Sequence, residues 1–175
     1  MNSRTHSENS ERKMVVVDTS AFVSIAVGDC LELVFSEFDI TTTTRVVDEL
    51  KNTAAYDDPH GRGATAVLER MDHVTVRDVT APELLSNRID TGEASCIAVV
   101  RNTNASILVT DDFRALPELE ALVETDVVLS PVLLRSLCDR GVLTESEVRS
   151  ALETIATERD WLGAPIYRYA RSLFE

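Results

Sequence analysis

Met14-Val15-Val16-Val17 is a short apolar run that breaks into Asp18-Thr19-Ser20 and then into helical spacing at Ala21, Phe22, Ile25 and Ala26. A run this short, bounded by polar residues, reads as a strand buried on both faces, as in a parallel sheet. The helical pattern breaks near Gly28-Asp29 and resumes at Leu31, Val34, Phe35 and Phe38. Residues 39–43 are mostly β-branched and read as a second strand. A helix follows over Arg45–Lys51, with Thr44 as its cap. From Asn52 the periodicity fails, and Asp57–Gly63 reads as a turn-rich loop. A short helix over Ala64–Met71 leads to a strand at Val74–Val79. Thr80-Ala81-Pro82-Glu83 and Asp90-Thr91-Gly92-Glu93 both have the form of a capping box. The second opens a helix carrying Ala94, Ile97, Ala98 and Val99. A strand over Ser106–Thr110 ends at Asp111-Asp112. The next helix carries Phe113, Leu116, Leu119 and Leu122, with Pro117 delaying or kinking it. The last strand is expected at Asp126–Leu129.

Beyond Leu129 the chain is all helical. Ser130 is placed to cap a helix with Pro131 at its first position, and Thr144-Glu145-Ser146-Glu147 opens a long helix to about Trp161. Gly163-Ala164-Pro165 breaks that helix, and a final one carries Ile166, Tyr169 and Leu173. Strands that alternate with helices imply a parallel sheet covered on both faces. We expect a polar, disordered tail over 1–13, an α/β domain over 14–130, and residues 131–175 as a helical part of that domain.

Composition narrows the setting. With 175 residues and 44% hydrophobic content the chain is large enough for one domain with a substantial core. Only 5% is aromatic, which argues against a broad surface for stacking bases. Cys30, Cys96 and Cys138 are far apart and fit neither a zinc site nor a disulfide framework. Together with the lack of a signal peptide or membrane-spanning run, they suggest a cytoplasmic protein. The net charge is −13, and the only lysines are Lys13 and Lys51. So acidic and lysine-poor a surface suggests a salt-rich cytoplasm, as in halophiles. It also opposes ordinary electrostatic binding of nucleic acid.

The acids at element junctions carry the chemistry. Asp18 ends the first strand, where it can cap the next helix or face a ligand at the carboxyl edge of the sheet. If Thr19 or Ser20 caps the helix, Asp18 is free for the ligand. Glu49 and its neighbour Asp48 lie in the helix after the second strand, and spacing does not choose between them. Glu93 can reach back to the Asp90 amide as part of the capping box. Asp111 and Asp112 together exceed what one cap needs, and clustered carboxylates repel one another unless a cation is present. Hard oxygen ligands of this kind suit Mg²⁺ or Mn²⁺. No Gly-rich phosphate loop is present, and Ser20 has no histidine partner for a hydrolytic triad. A phosphorylated receiver domain would want its acidic pair after the first strand, whereas here the pair comes late.

Taken in order, Val-Val-Val-Asp18-Thr-Ser-Ala-Phe, Val-Val-Asp-Glu49-Leu-Lys, Thr-Gly-Glu93-Ala-Ser-Cys-Ile-Ala and Ile-Leu-Val-Thr-Asp111-Asp112 resemble a PIN domain over residues 14 to about 130. The helical end, with Leu133-Leu134, Asp139-Arg140-Gly141 and Ala164-Pro165-Ile166-Tyr167, is similar to prokaryotic PIN-like proteins related to VapC-type toxins. The resemblance implies a three-layer α/β/α sandwich and a ribonuclease that uses Mg²⁺ or Mn²⁺. It assigns Asp18, Glu49, Glu93 and Asp112 as the catalytic acids and metal ligands, with Asp111 beside them as a further ligand. Thr19, Ser20 and Thr110 would support those acids, and Arg45, Arg62 and Arg114 are candidates for RNA contact. The partners it implies are an RNA substrate, an antitoxin protein and a second copy of the chain. The rival reading is a PIN fold without catalysis, serving as an interaction module or scaffold.

Overall fold

The computed structural model describes residues 11–80 and 86–175. A five-stranded sheet holds β1 (Met14–Val17), β2 (Asp39–Thr43), β3 (Thr75–Arg77), β4 (Ile107–Val109) and β5 (Asp126–Val128). Their spatial order is β3-β2-β1-β4-β5, and every pair is parallel. β1 is the centre, and Val15, Val16 and Val17 are all buried, as a strand covered on both faces requires. Val17 lies beside Val109, so β1 and β4 end at one edge. The chain winds outward from β1 through β2 to β3, then returns to place β4 on the other side of β1. That reversal is a topological switch point, where parallel sheets open a crevice at their carboxyl ends.

The helices are α1 (Thr19–Val27), α2 (Leu31–Glu37), α3 (Thr44–Ala54), α4 (Pro59–Leu68), α5 (Thr91–Arg101), α6 (Leu116–Leu122), α7 (Ser130–Asp139), α8 (Glu145–Glu158) and α9 (Pro165–Ser172). The result is the expected α/β/α sandwich. α1 is a hub: Ala21, Phe22, Val23 and Ile25 are buried, and α4, α7 and α8 all pack on it. The C-terminal helices therefore close over the element that leaves Asp18. Arg135 and Arg149 hold the chain end, donating to the Leu173 and Phe174 carbonyls and stacking on the Phe174 ring. Among the described residues no single helix is long and apolar enough to cross a membrane.

Several boundaries differ from expectation for local reasons. α3 begins at Thr44, and Thr43, not Thr44, caps it by accepting the Val46 amide at 3.1 Å. The segment read as a loop is mostly helix: Asp58 caps α4 through the Gly61 amide at 2.7 Å, and Pro59 sits in its first turn. Gly61 and Gly63 serve close approach there rather than a turn. A Cβ at Gly61 would lie 1.8 Å from the Tyr56 carbonyl oxygen, and one at Gly63 would press on Val23 and Val27 at 3.2 Å. Pro117 starts α6 rather than kinking it, which leaves Phe113 outside the helix and 37% exposed. The helix expected from Thr80-Ala81-Pro82-Glu83 and the tail over 1–10 fall outside the described residues.

Candidate functional site

Asp18 occupies the N-cap position of α1 but makes no side-chain bond to the helix. Its Oδ2 accepts hydrogen bonds from Ser20 at 3.3 Å and Thr110 at 3.2 Å. Its Oδ1 is buried and has no hydrogen-bond partner among the described residues. A buried acceptor left unpaired is costly, and native structures seldom keep one without use. Burial, reinforced by the charges of Asp90 and Glu49, pushes the Asp18 carboxyl up to about 7. Thr19 and Ser20 do not cap the helix. The Thr19 hydroxyl donates to Glu49 Oε2 at 2.5 Å, and Ser20 Oγ accepts the Asp111 amide at 2.9 Å. Both hydroxyls are occupied with the acids and their strand ends.

Glu49, not Asp48, reaches the same place; Asp48 is exposed. The Glu49 carboxylate lies against the first turn of α5. A Cβ at Gly92 would stand 2.5 Å from both of its oxygens, so a side chain there would force the carboxylate to move. Burial raises the Glu49 pKa despite the opposing bonds from Thr19 and the Gly92 amide. At the same helix start the capping box forms: Asp90 Oδ1 accepts the Glu93 amide at 2.8 Å, and Glu93 Oε2 accepts the Asp90 amide at 3.0 Å. Glu93 is only 2% exposed. Burial first, then the charges of Asp18, Asp90 and Asp112, outweighs its bond to the Asp90 amide and pushes its pKa up to about 8.

The adjacent acids after β4 part company. Asp112 Oδ1 accepts the Arg114 and Ala115 amides at 3.0 and 3.3 Å and still faces the other acids. Asp111 turns away. It accepts the Ser130 amide and hydroxyl, each at 2.7 Å, and so caps α7. Ser130, expected as that cap, is instead the first residue of the helix and a donor to Asp111. Asp111 is therefore held as a structural acid and does not line the site.

Asp18, Glu49, Asp90, Glu93 and Asp112 share one cavity of about 430 Å³, together with Asn52, Thr53, His60 and Arg159. Local sequence pattern does not mark Asp90, His60 or Arg159 as site residues. In the sequence Asp90 reads only as a cap, His60 falls in the turn-rich stretch Asp57–Gly63, and Arg159 stands at the far end of α8 with no strand end to mark it. The Arg45 charge favours ionised Glu49 from outside the cavity. Arg62 is exposed, paired with Asp57 at 3.8 Å, and lines none of the cavity. Arg114 lies next door, lining a second cavity of about 710 Å³ with Arg88, Phe113 and Pro117; Asp90 and Asp112 belong to both.

The donors fit a hard divalent cation: five carboxylates face one space, and a buried oxygen of the central one is unpaired. Among the described residues no group of three or more Asp, Glu, His or Cys side chains forms a ready-made metal site. Glu93 is drawn toward the Asp90 amide and Glu49 toward Thr19, and like charges keep the carboxylates apart. Binding would require them to close in.

The family model DUF3368, a PIN domain, matches residues 14–175. Among solved structures, the chain is similar to a PilT N-terminus domain protein from the hyperthermophilic archaeon Sulfolobus solfataricus P2. The two are 19% identical over 70% of this chain and 92% of that one, with a TM-score of 0.45. No curated protein matches the chain in sequence. With the family model covering the whole α/β domain and its helical end, the chain belongs to the PIN domain family.

Proposed function

We propose that this chain is an endoribonuclease that depends on Mg²⁺ or Mn²⁺. PIN domains are usually nucleases and generally use divalent metals. The observation that carries the reading is the shared cavity of five carboxylates, one of which, Asp18, keeps a buried Oδ1 unpaired among the described residues. Asp18, Glu49, Glu93 and Asp112 are the residues that would hold the cation, with Asp90 beside them. A cation held there supplies Lewis acidity toward a phosphodiester and makes a nearby water a better nucleophile.

The chain's own contribution is positioning. Ser20 and Thr110 fix Oδ2 of Asp18 and leave Oδ1 unpaired among the described residues. Thr19 and Gly92 set Glu49 against the start of α5. Asp111 ties the end of β4 to α7, and so fixes where Asp112 begins. No side-chain nucleophile is needed: Ser20 and His60 line the same cavity, but among the described residues neither bonds the other. The neighbouring cavity suits a flanking nucleotide, because Phe113 offers a ring face and Arg88 and Arg114 offer positive charge on an otherwise acidic protein. The finer reading, a toxin restrained by an antitoxin partner, draws its support from the resemblance of the helical end to VapC-type toxins.

The test is Mn²⁺-dependent cleavage of single-stranded RNA at high salt, wild type against Asp18→Asn. The expected result is cleavage by the wild type alone. Equal activity in both, or none in either, contradicts the proposal.

A further inference from the structure

Among the described residues Arg159 is the one guanidinium in the wall of the acid cavity. It stands at the C-cap of α8, where a cation suits the helix dipole. An exposed side chain would satisfy that role, yet this one is half-buried, and its Nε has no hydrogen-bond partner among the described residues. Its backbone position is set. The Arg159 amide donates to Ile155 at 2.8 Å, the next residue, Asp160, takes a left-handed turn with φ 58°, and the buried Trp161 returns its amide to Ala156 at 2.8 Å. None of the ion pairs among the described residues includes Arg159. Asp111 feels its charge, but that carboxylate is already taken by Ser130.

A half-buried cation that shares a cavity with five carboxylates and pairs with none leaves a gap in the charge pattern. An oxyanion fits such a gap. It can accept from a guanidinium on one side while the acids hold a cation on the other. We propose that Arg159 binds a phosphate of the nucleic acid strand in the acid cavity and so supplies, from the helical C-terminal part, the positive charge that the acids lack. This rests on the nuclease reading above. It makes α8 part of the substrate site rather than only a cover for α1.

The experiment measures binding of a short, labelled single-stranded RNA across a salt series, with Ca²⁺ in place of the catalytic cation. Wild type is compared with Arg159→Gln and Arg159→Lys, and Mn²⁺-dependent cleavage is followed in parallel. Loss of one phosphate contact on a single strand should lower the slope of log affinity against log salt by about 0.7. The Gln variant should show that drop and bind about tenfold or more weakly, while Lys keeps the slope and binds less tightly than Arg. A merely structural arginine would not alter the salt slope. Unchanged slope and affinity in Arg159→Gln, with the wild type still cleaving RNA, overturns this inference and leaves the nuclease reading standing. If the Gln variant does not fold, Arg159→Met, which keeps the apolar stem without the charge, is read in its place, and an unchanged slope and affinity there overturns the inference. A wild type that neither binds nor cleaves RNA overturns both.

Discussion

The start of α5 and the start of α8 carry the same local device in opposite surroundings. Each is a capping box in which the third helical residue is a glutamate that returns to the cap amide. At α8, Glu147 is exposed, and its bonds from the Thr144 amide and hydroxyl, at 2.7 and 2.8 Å, hold its pKa below the usual carboxylate range. At α5, Glu93 makes the equivalent bond, yet burial and three neighbouring carboxylates push its pKa up to about 8. One is a helix cap and nothing more. The other is a helix cap placed where the sheet's switch point gathers acids. The local motif does not separate them; the surroundings do.

Replacing both glutamates by glutamine separates them most strongly. Glutamine preserves volume and can still close a capping box. Glu93→Gln should lower Mn²⁺-dependent cleavage on the order of 10²-fold or more, because a charged donor is lost from the cavity. Glu147→Gln should leave cleavage within about twofold, as expected of a surface substitution. A turnover assay on the two variants checks this.

A smaller effect sharpens the same contrast without touching an acid. Gly92→Ala puts a methyl group where the Glu49 carboxylate lies, and that flexible side chain must swing aside. Alanine also favours a helix over glycine. Cleavage should fall roughly 10- to 100-fold while Tm holds or rises. A matched loss of both would show that the glycine serves packing instead.

The smallest effect is a pH dependence. Asp18 and Glu93 both bind protons more readily in the folded state than their ordinary values allow. Without metal, their contribution to stability is fully present below the unfolded values of 3.8 and 4.5 and is lost as pH rises through about 7 and 8. Metal-free wild type should therefore melt at a falling temperature across that window, and Asp18→Asn should show a shallower fall. Scanning calorimetry at stepped pH reads this directly; parallel curves would contradict the cluster's role.

Much of this site is legible along the chain, because strand ends in a parallel sheet are also its ligand edge. Asp18 follows β1 and Asp112 follows β4, and these neighbouring strands end together. Glu49 and Glu93 come from helices that the same edge brings over them. Side-chain direction is less legible. Nothing in Asp111-Asp112 shows that the first residue turns to Ser130 and the second to the cavity. Asp90 reads as a cap because it is one, and its second role depends on neighbours distant in sequence. His60 was hidden by glycines that look like turn formers but allow α4 to approach α1. Arg159 arrives through the packing of α8 on α1, for which no local pattern stands.

The central claim is that the buried carboxylates at the switch point are kept for a cation. The most direct measurement is the thermal shift with Mn²⁺ for wild type, Asp18→Asn, Glu93→Gln and Glu147→Gln. A cation at one hundred times its Kd should add about 2.7 kcal/mol, a rise of several degrees for a domain of this size. Wild type and Glu147→Gln should gain that much, and Asp18→Asn and Glu93→Gln little or nothing. No gain in the wild type, or the same gain in all four proteins, would contradict it.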